Sequence, residues 1–415
     1  MQKKSMAIAI AIALSTPVAV FAQESASTAS SMFRFSGFGT LGAVATDTDK
    51  AQYATSVLQP GGAKKSADFG VDSLIAGQVD AQFTPQFSAV IQAVANRTAD
   101  DDFVPHIEWA FARYAFTPDL TVRAGIMAVP IFMLSDSRLV GFSYAWVRPP
   151  TAVYSQSPTT KFQGGDITYR HDVSGVNLSA QAYLGRAPTD IPVSATGGHN
   201  TADLDNMFGV QLTAESGPWN FRLGYLQTDF TYRDQAIQPL FDGLRQINAL
   251  VPGAAALADD LDTIDKKITF MTVGASYESG NVLLMGEYGK RKADLFLADT
   301  TSWYVMGGYR FGNFMPHITF SQVKVDSPTS QSIVPSVGPL AAVAGGVNTL
   351  LSGQNVAQKT IAIGARYQFH KNADVKVQWD RVDLPNGAVG NFQKAEPGFA
   401  GSKVNVYSAA VDFVF

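Results

Sequence analysis

Apolar and polar residues alternate along most of this chain. In 360–369 one set reads Ile361, Ile363, Ala365, Tyr367 and Phe369, and the other Thr360, Ala362, Gly364, Arg366 and Gln368. In 374–380, Val375, Val377 and Trp379 alternate with Asp374, Lys376, Gln378 and Asp380. Segments 219–225 and 403–415 follow the same rule, with Trp219, Phe221, Leu223 and Tyr225 on one side and Tyr407, Ala409, Val411, Phe413 and Phe415 on the other. A period of two belongs to a β-strand, whose successive side chains point to opposite faces. Segments of about ten residues match a tilted strand that crosses a bilayer. The pattern predicts sixteen strands: 32–45, 69–83, 86–97, 106–117, 119–129, 161–171, 176–187, 205–215, 218–229, 266–278, 281–292, 301–311, 313–325, 358–370, 373–382 and 403–415. Gly164-Gly165 breaks parity and predicts a bulge, and Arg113 does not fit its neighbours.

The connections alternate in length. Short ones carry turn residues: Thr84-Pro85, Thr117-Pro118, Asp172-Val173-Ser174-Gly175, Ser216-Gly217, Ser279-Gly280, Gly312 and Lys371-Asn372. The loops between them run mostly long, at 46–68, 130–160, 188–204, 230–265, 326–357 and 383–402, with shorter ones near 98–105 and 293–300. Membrane barrels have this asymmetry, with short turns at one rim and long loops at the other. Phe33, Phe35, Trp109, Phe111, Tyr277, Tyr288, Tyr309, Phe311 and Phe314 are expected as an aromatic girdle on the lipid side. The fold class predicted is all-β: a transmembrane antiparallel barrel of about sixteen strands spanning 32–415.

Composition supports this. No cysteine is present, so the fold uses no disulfide. Lys3-Lys4, the apolar run Met6–Leu14, Pro17 and then Val20-Phe21-Ala22 read as a signal peptide over 1–22. Residues 23–31 are then a short polar linker. Without Lys3 and Lys4 the 31 basic residues become 29, against 35 acidic, a net charge of −6. Nothing in that balance suggests nucleic-acid binding.

The final stretch, Tyr407-Ser408-Ala409-Ala410-Val411-Asp412-Phe413-Val414-Phe415, resembles the C-terminal signature of bacterial outer-membrane proteins. The opening strand, Phe33-Arg34-Phe35-Ser36-Gly37-Phe38-Gly39-Thr40-Leu41-Gly42, resembles that of Gram-negative porins. The resemblance implies passive diffusion of small hydrophilic solutes or ions through a water-filled pore, without cofactor. It also implies a homotrimer in outer-membrane lipid and lipopolysaccharide, with Phe415 read by the barrel assembly machinery. A third outer loop, 130–160, is expected to fold into the lumen. It holds Trp146-Val147-Arg148-Pro149-Pro150, and Asp136 is its one acid. A cation preference is therefore not carried over.

Charges would each cost about 2–4 kcal/mol on the lipid face at midplane, so parity turns them inward. This assigns Arg34, Arg123, Arg222, Arg310, Arg366 and Lys376 to the lumen wall, with Asp72, Asp80, Glu108, Glu278, Glu287 and Asp380. The constriction is expected at Arg34, Glu108 and Arg123 on the wall and Asp136, Arg138 and Arg148 on the loop. The plainer alternative is ordinary solvated lumen charges paired across strands.

Other classes carry less. Leu240, Leu244, Ile247, Leu250 and Val251 have helical spacing within 230–265, and nearby Asp259–Asp265 lacks the Gly and Glu of a calcium loop. The stretch 332–352 is expected to cap the pore or face a neighbouring subunit. No two of the five histidines have metal-ligand spacing. Gly141-Phe142-Ser143-Tyr144-Ala145 approaches a nucleophile elbow but ends in Ala. A substrate-selective channel is the nearest alternative, followed by a barrel-embedded hydrolase or a surface receptor.

Overall fold

In the computed structural model, residues 32–193, 198–234 and 236–415 are described. The proposed signal peptide and the linker over 23–31 lie outside them. Sixteen long strands form one closed antiparallel sheet: β1 (Phe33–Thr46), β2 (Leu74–Gln82), β3 (Phe87–Asn96), β4 (His106–Ala115), β5 (Leu120–Ala128), β6 (Lys161–Val173), β7 (Val176–Arg186), β8 (His199–Ser216), β9 (Trp219–Tyr232), β10 (Lys266–Ser279), β11 (Val282–Ala293), β12 (Thr300–Tyr309), β13 (Phe314–Val325), β14 (Gln358–His370), β15 (Ala373–Asp383) and β16 (Lys403–Val414). Each strand pairs with the next. The ring closes where β1 meets β16, with Phe38 opposite Val414 and Thr46 opposite Val406. Closure matters physically because a sheet edge in hydrocarbon would leave backbone N–H and C=O groups unpaired.

All sixteen predicted strands are present. β2 starts five residues later than expected, at Leu74 rather than 69. β8 starts earlier, at His199, and runs through an irregularity between Asp205 and Phe208. The two-residue turn between β6 and β7 puts Ser174 at φ 53° and Gly175 at φ 83°. Two positive φ values suit a two-residue hairpin that matches strand twist.

Parity separates two solvents. Ile361, Ile363, Tyr367, Val377, Trp219, Leu223 and Tyr407 face outward and are exposed on the free chain. Phe33, Phe35, Tyr309, Phe311, Phe314 and Phe369 ring the short-turn end and are also exposed. The Phe413 and Phe415 rings lie over Gly39 and Gly37, where a Cβ would stand 2.4 and 2.3 Å from ring carbons.

Two local expectations are corrected. Trp109 and Phe111 do not join the girdle. β4 holds one extra residue: Trp109 opposes Gln92, but Ile107 opposes Ala93, so Glu108 is bulged out of register. The bulge turns Trp109, Phe111 and Arg113 inward together, which also accounts for the misfit of Arg113. Conversely, Gly164-Gly165 forms no bulge. Register is continuous there, and Gly164 sits between Gly125 and Gly185 on neighbouring strands. A Cβ on Gly164 would stand 2.0 Å from the Leu184 carbonyl oxygen, so close backbone approach is what requires glycine.

Among the described residues the long loops carry four α-helices: α1 (Thr151–Tyr154), α2 (Gln238–Gln246), α3 (Ala254–Leu261) and α4 (Ala341–Gly353). α2 to α4 share an apolar core of Phe241, Leu244, Leu257, Leu261, Val347 and Leu351. The stretch 332–352 thus packs against the helices of 233–265.

Candidate functional site: the lumen and the segment 129–160

Residues 129–160 follow β5 and hydrogen-bond to inward-facing side chains along β9 to β16. The Met133 carbonyl accepts from Arg222 of β9 at 2.8 Å, and the Ile131 carbonyl accepts from Thr272 Oγ1 of β10 at 2.6 Å. The Met133 N–H donates to Glu287 of β11 at 2.9 Å, and Gln156 accepts from Thr300 Oγ1 of β12 at 2.8 Å. Trp146 Nε1 donates to Thr319 of β13 at 2.8 Å. The Val147 N–H donates to Gln378 of β15 at 3.1 Å, and Arg148 donates to Ser408 of β16 at 2.7 Å.

Charges beneath this segment are buried and paired. Arg148 is 6% exposed and forks onto Asp72 at 2.8 and 2.5 Å, with Asp380 at 3.5 Å. Its guanidinium also lies 5.4 Å from the Tyr53 ring centre. Although burial disfavours a charged guanidinium, the Asp72 carboxylate holds Arg148 above its ordinary pKa. Lys376, 1% exposed, reaches Asp412 at 2.9 Å and donates to the Gly141 carbonyl at 2.6 Å. Arg366 pairs with Asp374 at 2.6 Å beneath the Phe142 ring. Glu287 accepts from the Tyr154 hydroxyl at 3.1 Å. Removing one partner from such a pair typically costs about 3–5 kcal/mol, because the other charge is left unpaired and dry.

Two cavities lie in the lumen among the described residues. One, of about 980 Å³, lies toward the short turns. It is lined by Arg34, Arg113, Arg123, Arg170 and Arg222, with Asp80, Asp136 and Glu215. The other, of about 420 Å³, opens toward the long loops and includes Asp72, Arg97, Glu108, Arg138 and Lys161. A gap of about 10 Å³ lies between them, lined by Phe38, Gln92, Glu108, Trp109, Asp136, Arg138, Leu139 and Val140. It shares Asp136 with the first cavity and Glu108, Arg138 and Leu139 with the second. Phe38, Ala76 and Val94 pack there against Leu139 and Val140.

The residues singled out from sequence are distributed over these regions. Glu108, Asp136 and Arg138 line the gap. Arg138 turns its guanidinium onto the Tyr154 and Ser157 carbonyls at 2.9 and 3.0 Å. Arg34 and Arg123 line the larger cavity instead, and Arg123 is held by Asp166 at 2.6 Å. Arg148, on the segment itself, is tied to Asp72 and lines the loop-side cavity rather than the gap. Among the wall residues, Asp80 and Arg222 face the larger cavity, while Glu287, Arg366 and Lys376 are covered by 129–160. Arg310 sits near a short turn beside Glu278, 3.0 Å away. Asp259 and Asp262 are engaged by Arg245 at 3.0 and 2.5 Å, and no metal-binding cluster occurs among the described residues. Ser143 Oγ donates to the Val140 carbonyl at 2.7 Å.

Sequence reasoning missed Arg113, Arg170, Trp109 and Phe38. Arg170 shares parity with Asp166 and Thr168, so that signal was present. Arg113 and Trp109 were hidden by the bulge.

A closed antiparallel barrel with an outward apolar band and a polar, cavity-bearing interior defines an outer-membrane channel protein. A family model described as Gram-negative porin matches residues 7–387, and the chain belongs to that family. Solved structures agree in fold at low identity. An anion-selective porin from Comamonas acidovorans is 13% identical with a TM-score of 0.53, covering 92% of this chain and 99% of that one. OmpT of Vibrio cholerae is 11% identical (TM-score 0.52, 94% and 99% covered). OmpF of Salmonella typhi, solved with daunomycin, is 15% identical (TM-score 0.51, 92% and 97% covered). Comparison with curated proteins gave no match.

Proposed function

We propose that the chain passes small hydrophilic solutes or ions by passive diffusion, and that it favours anions. The third outer loop, 129–160, is read as folded into the lumen, where it leaves one narrow passage beside β1 to β4. One observation carries the preference. Arg34, Arg113 and Arg170 line the larger cavity, and among the described residues none has a carboxylate within 4.0 Å. Unpaired cations facing water raise the local concentration of anions, over a screening length of about 8 Å at physiological ionic strength. Single channels in planar bilayers under a salt gradient test this. The reversal potential is expected on the anion side. A cation-side value would overturn the preference, and absence of conductance would overturn the channel.

The lining that Glu108, Asp136, Arg138 and Leu139 share between the two cavities favours a second reading, a substrate-selective channel. Conductance blocked by one class of anionic solute and not by others would support it. Membership in a channel family supports a non-enzymatic role. Lipid hydrolysis by the purified protein, abolished by Ser143→Ala, would contradict that.

Assembly is part of the same proposal. The outward faces of β1 to β5 carry small residues, Gly37, Gly39, Gly77, Ala89, Ala112 and Ala124, between larger ones such as Ile75 and Ile91. Such a face lets a second barrel approach closely and suits a homotrimer. Ala112→Arg should yield monomers in native mass spectrometry. The mature N-terminus is expected at Gln23, and Phe415 is assigned to recognition by the barrel assembly machinery.

A further inference from the structure

The segment 129–160 is held by an outer loop as well as by the wall. Its single helical turn, α1, meets the last outer loop, 384–402. Asn391 of that loop donates from Nδ2 to the Thr151 carbonyl at 3.1 Å, and its Oδ1 stands 3.1 Å from the Ser155 hydroxyl. It thus engages the first residue of α1 and the residue that ends it. The Asn391 backbone N–H donates to Gln358 Oε1, at the start of β14, at 3.0 Å.

The loop has a reason to stand there. Gln52-Tyr53 of the first outer loop pairs antiparallel with Phe392-Gln393. The Phe392 ring packs against Tyr53 and Phe399, with ring centres 5.5 and 5.1 Å away. Ala51, Tyr53, Ala63, Leu384, Phe392 and Phe399 are buried together. Apolar burial and a backbone pair therefore fix the residue next to Asn391.

What α1 carries reaches the gap. A helix of four residues does not hold its place alone, because forming one turn is unfavourable. Its position follows from what touches it. Arg138 lines the gap, and among the described residues its guanidinium has no carboxylate within 4.0 Å. What holds it is the Tyr154 carbonyl, the Ser157 carbonyl and the Tyr154 ring, whose centre is 5.7 Å away. These groups lie at the end of α1 and just after it.

We propose that Asn391 is a positioning residue for the gap. It fixes α1 from the outer loop and, through the Tyr154 and Ser157 carbonyls, the Arg138 guanidinium. The proposal rests on the channel reading above. It makes a loop residue 240 positions beyond Thr151 in sequence part of what sets the passage.

The test records single channels of the full chain in planar bilayers. Asn391→Ala should raise the occupancy of brief subconductance states about tenfold, the scale of one to two net hydrogen bonds. It should also shift the reversal potential under a salt gradient. Asn391→Leu keeps the branched shape, makes neither bond and should do the same, so it carries the test if the alanine variant fails to fold. Gln393→Ala, on the same loop, removes a bond to the Ser56 carbonyl instead and should leave both readings unchanged. On an Arg138→Gln background, Asn391→Ala should no longer move the reversal potential, a dependence that a looser loop would not produce. An unmoved reversal potential in both Asn391 variants, an equal change in Gln393→Ala, or a full shift that persists without Arg138 would each overturn the proposal. Hydrogen exchange in detergent separates it from the channel reading. Asn391→Ala should lose protection at the Ser155 amide, which donates to the Thr151 carbonyl at 3.2 Å, and Gln393→Ala should not. A chain that shows this loss but never conducts fails as a channel, whereas one that conducts without it fails on Asn391.

Discussion

The two halves of the inner wall use the same residue types at the same parity, to different ends. From β9 round to β16 the wall is covered by 129–160, and its cations are tied down: Lys376 to Asp412, Arg366 to Asp374, and Arg148 from the loop to Asp72. From β1 to β8 the wall faces the larger cavity, and among the described residues Arg34, Arg113 and Arg170 make no ion pair within 4.0 Å. Under the loop the dielectric is low, so every charge must find its opposite or the arrangement fails. Facing water, a charge is solvated and can act on a passing ion instead. What lies over a side chain, more than its identity, decides whether it fastens the protein or sets a field in the pore.

The largest expected effect tests the covered half. Lys376→Met leaves Asp412 buried without its cation, while Arg366 still holds Asp374, and should cost about 3–5 kcal/mol. It should appear as a lower apparent Tm, followed by circular dichroism in detergent. Arg113→Met, on the open half, should stay within about 0.5 kcal/mol. Equal shifts for the two would erase the distinction between the halves.

Next is the attachment of the loop. Arg148→Met leaves Asp72 and Asp380 facing each other, which should loosen 129–160 and raise single-channel conductance, with larger fluctuations. Asp72→Asn should partly relieve the defect of Arg148→Met. A double-mutant cycle should give a coupling of roughly 1–3 kcal/mol. Additive effects would mean that this pair does not hold the loop.

The open half is tested by selectivity rather than stability. Combined Arg34→Gln, Arg113→Gln and Arg170→Gln should move the reversal potential toward cations without changing Tm. The difference should shrink near 1 M salt, where the screening length falls to about 3 Å. An unchanged reversal potential would remove these arginines from the selectivity field.

The barrel was readable because hydrocarbon and water select alternate side chains, as in Ile361 to Phe369. The division of the wall was not. Arg148 finds Asp72 and Asp380 across 76 and 232 residues of sequence, and only the path of the loop brings them together. Lys376 and Arg34 have equal claims to the pore from parity alone. One bulged residue, Glu108, inverted the apparent direction of Trp109, Phe111 and Arg113. Neighbouring segments keep strict alternation, so a single inserted residue reads as noise until the register is known.

The smallest effect concerns a charge pair outside the barrel wall. In the helical cap, Arg245 holds Asp262 at 2.5 Å in partial contact with solvent. Burial pushes the Asp262 carboxyl up, but the Arg245 hydrogen bond and the Thr263 N–H outweigh it, and its pKa lies below the usual carboxylate value. A group whose folded pKa is depressed stabilises the fold at neutral pH, and that contribution is lost as pH falls through the folded pKa. Hydrogen exchange at amides of α2, corrected for intrinsic rates, should therefore show modest loss of protection as pH falls from roughly 5 to roughly 2. Asp262→Asn should flatten that dependence and leave the Tm of the barrel unchanged. A pH response of the same size in the variant would show that this solvated pair, unlike those beneath the loop, contributes nothing measurable.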